Sequence, residues 1–293
     1  TEAPSAPPSC KESLVSETIV ERLRQSLSAL PATERRVAMR LLADYPMAGL
    51  GSASELARTV GVSVPTVLRL TTRLGFPAYP DFQSRLREEL AAQLSSPLAK
   101  TTQAAGSSEE SRWQQFAEQV ADNVRESFQH IAADELRQIA QWLADPKSRV
   151  HLVGGRFTDA LAQYVAVQLR ILRAGVNHLR DQEANWFDQV LDMGNRDVLV
   201  IYDIRRYQAS LLRLAEWATQ RGTKVILLTD QWLSPIARVA RHVLPARVQV
   251  PSPWDSNAAL MALSEALLAE VSRLGGDSSQ RRMRELERLR NQA

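Results

Sequence analysis

SASELARTVGVSVPTVLRLTTRLGF, residues 52–76, holds two short amphipathic runs separated by a glycine. Leu56, Ala57 and Val60 share one face of the first run at helical spacing, and Val67, Leu70 and Leu74 share one face of the second. Gly61 can take the positive φ of a tight turn, which strains other residues, and Val62 then points inward. Ser63 is placed to cap the second helix, and Pro65 falls in its first turn, where no backbone donor is needed. The spacing predicts a helix-turn-helix. Its outer face and second-helix start carry Ser63, Pro65, Thr66, Arg69, Thr72 and Arg73, the surface that enters the major groove of double-stranded DNA in such a motif. Short hydroxyls suit phosphate and base contacts, Arg69 can read a guanine edge with both arms, and Arg73 can reach a phosphate. The same pattern also fits an ordinary helical hairpin with a solvated polar face.

Upstream, Thr33 and Glu34 start another helix running through Val37, Met39, Leu41 and Leu42, which completes an all-helical domain over 14–94. Residues 1–13 include the Pro/Ser/Ala-rich run TEAPSAPPSC and read as a disordered N-terminus. SSPLAKTTQAAGSSEES, 95–111, is small and polar and reads as a linker. Beyond it, Trp113, Phe116, Val120, Val124, Phe128 and Ile131 mark one apolar helix face. Asp134 can cap a following helix that carries Leu136, Ile139, Trp142 and Leu143.

From residue 150 short apolar runs alternate with helical stretches. VHLV (150–153) precedes a helix to Ala174, a short strand near 176–179 and a helix near 184–192. DVLVIY (197–202), a helix over 208–220, KVILLT (224–229), a short helix from Ser234, HVLPARV (242–248) and a helix over 256–273 follow. This alternation implies a doubly wound parallel sheet with helices on both faces. The chain therefore reads as α plus α/β: an N-terminal helix-turn-helix domain, then an α/β domain over 112–275. The charged tail, 276–293, mixes both signs and reads as a solvated terminal helix rather than a nucleic-acid arm.

Bulk composition narrows the function classes. The 293 residues are 44% hydrophobic and 24% charged, with a net charge of +3, the profile of an ordinary globular protein. A basic pI near 9.2 is compatible with a nucleic-acid partner without indicating one. The single cysteine, Cys10, excludes an internal disulfide, and four scattered histidines argue against a zinc site. No apolar run approaches the ~18 residues that span a bilayer. The expectation is a cytoplasmic protein with no membrane partner, no metal and no cofactor.

The segments LPATERRVAMRLLADYP (30–46) and ELARTVGVSVPTVLRLTTRLGFPAYPDFQSRLREEL (55–90), with the α/β half, resemble the RpiR/MurR-type bacterial transcription regulators. Leu74-Gly75-Phe76 after the second helix, with Tyr79 and Phe82 following, is distinctive of that family, and the likeness spans about 14–275. It implies a flavodoxin-like sugar-isomerase (SIS) domain that senses a phosphosugar and tunes operator binding.

The SIS motifs are altered here. The family's first strand ends in Gly-x-Gly-x-Ser; in VGGRFTDALA (153–162) Gly154 fits the first glycine, Arg156 replaces the second and Thr158 stands for the serine. The third strand normally ends in Ser-x-Ser-Gly-x-Thr. In YDIRRYQ (202–208) Asp203, Arg205, Arg206 and Gln208 hold those four places. A loop of small residues cradles phosphate by close backbone approach at a helix N-terminus; arginine in place of glycine closes that approach, and Asp203 repels an anion unless paired. Two readings follow. In one, Arg156, Arg205 or Arg206 clamps a carboxylate or phosphate by guanidinium fork. In the other, an Asp203–arginine pair fills a dead pocket. Strand C-termini of open α/β sheets are where ligands bind, which favours the first.

The ligand set expected is Gly154, Gly155, Arg156, Thr158, Asp203, Arg205, Arg206 and Ser256. The last comes from PSPWDSNAAL (251–260), where Asp255 or Ser256 can cap the final helix and Trp254 could stack on a ligand. His178 and His242 read as structural, and Arg170 and Arg173 as solvated or at a subunit contact. The leading function is a transcription regulator, not an enzyme, that binds a double-stranded DNA operator as a homodimer or homotetramer. It would answer to a small anionic metabolite, a sugar phosphate or sugar acid. The alternatives are a constitutive regulator whose α/β half only dimerises, and a sugar-phosphate isomerase with Glu183 or His178 as base.

Overall fold

The computed structural model describes residues 17–94, 109–129, 131–180 and 183–292. The N-terminal run with Cys10 and most of the expected linker, 95–108, lie outside them. Two compact units divide between Ala92 and Gln93.

The first unit is helical throughout its described length: α1 (Ile19–Ser26), α2 (Ala32–Ala43), a 3-10 turn at Met47–Gly49, α3 (Ala53–Val60), α4 (Val64–Arg73) and α5 (Tyr79–Leu94). Local chemistry sets the helix starts. Thr18 and Glu21 form a reciprocal capping box on α1, and Ser52 Oγ accepts from Glu55 N at 3.1 Å on α3. Gly61 ends α3 at φ 70, in the left-handed region that a side chain disfavours. Ile19, Leu23, Val37, Leu41, Leu56, Val67, Leu70, Phe82 and Leu86 share one core. Met39, expected among the apolar residues of its helix, is largely exposed.

The second unit runs α6 (Glu109–Gln129), α7 (Ala133–Ala144), β1 (Val150–Gly154), α8 (Asp159–Leu172), β2 (Val176–His178), α9 (Glu183–Leu191), β3 (Val198–Asp203), α10 (Ala209–Gln220), β4 (Lys224–Asp230), a 3-10 turn at Pro235–Arg238, β5 (His242–Ala246) and α11 (Ala258–Arg290). All strands pair in parallel, in the order β2-β1-β3-β4-β5. Every residue of β1 and β3 is buried, as expected of strands covered on both faces. The chain leaves β1 for β2 in one direction and β3 for β4 in the other. Right-handed crossovers then place α8 and α10 on opposite faces. Contacts sort the helices the same way: α11 packs on α6, α7 and α8, while α9 packs on α10. This is the doubly wound architecture expected from the alternation of apolar and helical runs.

Details depart from expectation. Glu109–Ser111, assigned to the linker, open α6. The first part of its apolar stripe, Trp113 and Phe116, is exposed. Ala132, not Asp134, holds the N-cap position of α7 and makes no side-chain bond; Asp134 sits in the first turn, where a negative charge favours the helix dipole. Asn257 holds that position for α11, and Ser256 Oγ accepts from Ala258 N at 3.2 Å. Arg173 is buried rather than solvated. Its guanidinium donates to the carbonyls of Leu143 at 2.5 Å and Ala174 at 2.9 Å, and to that of Ser148. The tail continues α11 after a break at Gly276, and Ser279 packs back on the carbonyl of Leu172 at 3.1 Å.

Candidate functional site

Two surfaces gather the expected residues. On α4, Ser63, Pro65, Arg69, Thr72 and Arg73 are exposed, as a groove-reading face requires. Thr66 is not: it is 4% exposed. It lies one turn before the core residue Leu70, so it shares the buried stripe. Its hydroxyl links the surface instead, bonding Ser63 Oγ at 2.9 Å and accepting from Arg69 Nη2 at 3.1 Å. Ser63 thus holds the N-cap backbone position without capping by side chain. A residue given no such role also acts here. Glu34 on α2, 4% exposed, accepts from Arg73 Nε at 3.0 Å and lies 3.9 Å from Arg69 Nε. Arg73 is thus bonded through Nε to Glu34 and Arg69 through Nη2 to Thr66, while both side chains stay largely exposed.

The second surface is a cleft of about 590 Å³ beyond the C-terminal ends of β1 and β3, lined by Gly155, Arg156, Phe157, Asp203, Arg206 and Trp254 among others. Strand order reverses between these two strands, which opens a crevice between helices on opposite faces. Gly154 turns the chain out of β1. A Cβ there would stand 2.4 Å from Asp159 N and 2.5 Å from the carbonyl carbon of Thr158, so only glycine fits. Thr158 is fully buried, and its hydroxyl is spent on the loop itself, donating to Tyr202 O at 2.7 Å and accepting from Gly155 N at 2.9 Å.

The loop after β3 is closed by its own carboxylates. Asp203 accepts from Ser234 Oγ at 2.5 Å and Gln208 N at 3.4 Å. Gln208 in turn takes Arg156 N on its Oε1 at 3.0 Å. Asp230, at the end of β4, accepts from Arg205 N at 2.7 Å, Tyr207 hydroxyl at 2.7 Å and Trp232 N at 3.1 Å. Burial pushes the Asp203 carboxyl up to about 7, with Ser234 and Gln208 pulling it back and Asp230 adding to the rise. Burial likewise raises Asp230 to about 6 against its hydrogen bonds.

Arg205 does not pair with Asp203, and it is not a free clamp. Its guanidinium is buried, bonds Asp255 through Nε at 2.6 Å, and lies 4.2 Å above the Trp232 ring. Arg156 and Arg206 are exposed, and Arg156 sits over Phe157 at 5.2 Å from the ring centroid. Phe157 and Trp254 meet edge to face at 5.6 Å. Ser256 is occupied with Ala258 and does not join the cleft lining. His178 bonds Asp159 Oδ1 at 2.8 Å, and Glu183 takes Ser210 Oγ at 2.7 Å; neither lines the cleft. Sequence reading missed Asp230, Ser234 and Phe157. An acidic residue ending a parallel strand and an aromatic inside a glycine turn were the available signals.

Residues 17–93 match the family model for the helix-turn-helix domain of the rpiR family, and residues 143–270 match that for the SIS domain. The bifunctional protein glk of Burkholderia thailandensis is 27% identical over 237 residues, which is 78% of this chain and 35% of that protein. The chain thus spans about a third of the length of that relative. An uncharacterized HTH-type transcriptional regulator of Haemophilus influenzae is 21% identical over 236 residues, covering 78% of this chain and 80% of its own. Among solved structures, the sugar isomerase domain of an RpiR transcription factor from Sphaerobacter thermophilus matches with a TM-score of 0.55 at 22% identity, over 59% of this chain and 97% of its own. Vibrio vulnificus NanR complexed with ManNAc-6P matches with a TM-score of 0.50 at 16% identity, over 92% of this chain and 97% of its own. At these identities the structural likeness is one of fold.

Proposed function

We propose, for a chain that belongs to the rpiR family of helix-turn-helix proteins and carries a SIS domain behind that head, a transcription regulator that reads operator DNA through α4 and answers to a small anion in its α/β cleft. The observation that carries the first half is the exposed row on α4. Arg69 and Arg73 are exposed yet anchored, Arg73 by a bond to Glu34 and Arg69 by one to Thr66, so less side-chain freedom is lost when they meet DNA. Ser63, Pro65 and Thr72 complete the surface, and Thr66 acts from below by orienting Arg69. Helix-turn-helix domains read two half-sites through paired heads, so a homodimer or homotetramer on a palindromic site is the assembly that fits.

Selection from a randomised duplex library, followed by titration of the recovered site, tests this. Arg69→Ala should weaken the selected site by about ten- to a hundredfold, the range of one lost bidentate base contact. Unchanged binding sinks the assignment of α4 as the reading helix.

The cleft's position at the strand-order switch and its two exposed arginines support an effector site. NanR, of similar fold over 97% of its chain, is complexed with ManNAc-6P, which supports a small-molecule effector. A ligand-free dimerisation module is the second reading, favoured by one observation: the loop donors at the strand ends are already satisfied from within the protein. An operator titration that no metabolite shifts would select it. Glu183 and His178 lie off the cleft lining, and a helix-turn-helix head joined to a SIS domain supports the regulator reading over an isomerase. Among the described residues no helix is long and apolar enough to cross a membrane.

A further inference from the structure

The cleft has three properties that bear on the chemistry of its ligand. The first concerns donors. Gly155 N, Arg156 N, Arg205 N and Gln208 N all have internal acceptors, as does the Thr158 hydroxyl. A phosphate monoester carries up to about two negative charges and three acceptor oxygens, and cradles built for it present several backbone N–H groups at once. On both sides of this cleft those four N–H groups are committed.

The second concerns charge. Asp203 and Asp255 line the floor, and Arg205 is committed to Asp255. Arg156 and Arg206 remain as exposed guanidinium groups on the lining, with no ion pair among the described residues. That is enough for one carboxylate, which a single guanidinium can hold by two parallel bonds. Asp255 is balanced by Arg205, so the charge offered to a ligand is set by Arg156, Arg206 and Asp203.

The third concerns apolar surface. Phe157 is 55% exposed and Trp254 is 59% exposed, and they stand edge to face on the wall of the cleft beside Pro253 and Ile204. Arg156 lies over the Phe157 ring, so this exposed aromatic pair with a guanidinium beside it suits a ligand that joins a flat apolar body to an anionic group.

Resting on the effector reading above, we propose that the cleft takes an aromatic monocarboxylate instead of a phosphosugar. Its carboxylate is held by Arg156 and Arg206, and its ring lies against Phe157 and Trp254. Selectivity against a phosphate follows from the N–H groups of Gly155, Arg156, Arg205 and Gln208, which are already taken within the protein.

The test uses the full chain and a fixed panel: benzoate, phenylacetate, indole-3-acetate, glucuronate, glucose 6-phosphate and inorganic phosphate. Thermal shift and calorimetry are read for each, with quenching of tryptophan fluorescence as a third signal. At least one aromatic acid should bind saturably. Its affinity should fall about tenfold or more in Arg206→Gln and in Trp254→Ala, variants of exposed residues whose unliganded melting temperature should match the wild type. Saturable binding of glucose 6-phosphate or glucuronate, with no aromatic acid bound, overturns the ligand class while leaving an anion-responsive cleft. Absence of any binding across the panel overturns both. Binding of an aromatic acid that survives both substitutions places the ligand elsewhere and also overturns the proposal.

Discussion

The hydroxyl of Ser234 donates to Oδ2 of Asp203 across 2.5 Å, and this buried bond holds an internal carboxylate at the C-terminal end of β3. The bond links residues 31 positions apart. Burial holds the Asp203 proton to about pH 7, against an ordinary value of 3.8. Between those limits the folded chain binds more protons than the unfolded one, so stability falls as pH rises through the window. Asp230, raised to about 6, adds to the same slope over a narrower range. Asp203→Asn mimics the protonated form. The wild type should lose several degrees of melting temperature between pH 5 and pH 8 that the variant keeps. Parallel melting curves across that range would show that Asp203 titrates normally.

The turn out of β1 makes a second prediction. A methyl at position 154 would press on backbone atoms of Thr158 and Asp159, which cannot swing aside as a side chain would. Gly154→Ala should destabilise the α/β unit by about 1–3 kcal/mol, the usual range for overpacking. Chemical denaturation should show the loss, with α8 as the displaced element. A stability equal to wild type would mean that the loop relaxes freely.

Arg205 and Asp255 form a buried pair between residues 50 positions apart. Removing one partner leaves the other charged and desolvated, so Asp255→Ala should cost about 3 kcal/mol. The double variant Arg205→Ala with Asp255→Ala should cost less than the sum of the singles. A fully additive cycle would mean that the pair contributes no coupling. Arg206→Ala, on an exposed side chain, should leave stability within about 0.5 kcal/mol.

What was legible in the sequence follows a physical line. The parallel sheet was legible because strands buried on both faces must be nearly continuous in apolar residues, as Val198–Ile201 are. The turn at Gly61 was legible because one residue type serves it. The altered loops were legible by position, since Asp203 and Arg205 follow a recognisable strand. Their partners were not. Periodicity assigns a face to a residue, but it does not say that Ser234 reaches Asp203, or that Asp255 and not Asp203 takes Arg205. Thr66 was misplaced for a related reason: its polar side chain suggested the outer face, while its spacing from Leu70 put it on the inner one.

The helix-turn-helix offers the sharpest prediction about DNA. Glu34 is buried beneath Arg69 and Arg73 and contacts both through their Nε edges. Two effects oppose each other in Glu34→Gln. Removing a negative charge near the phosphates favours binding to any duplex. Releasing two guanidinium forks costs order that base reading depends on. The two separate experimentally, because phosphate attraction is shared by all sequences and base reading is not. Non-specific affinity should hold or rise, while the ratio of selected-site to random-site affinity should fall about tenfold, within the range of one degraded base contact. The salt dependence should not weaken. Arg73→Ala, by contrast, should reduce the salt slope by about one unit and weaken all duplexes alike. If Glu34→Gln leaves the specificity ratio intact, the carboxylate is only a fold element between α2 and α4, and the arginines orient themselves on the DNA.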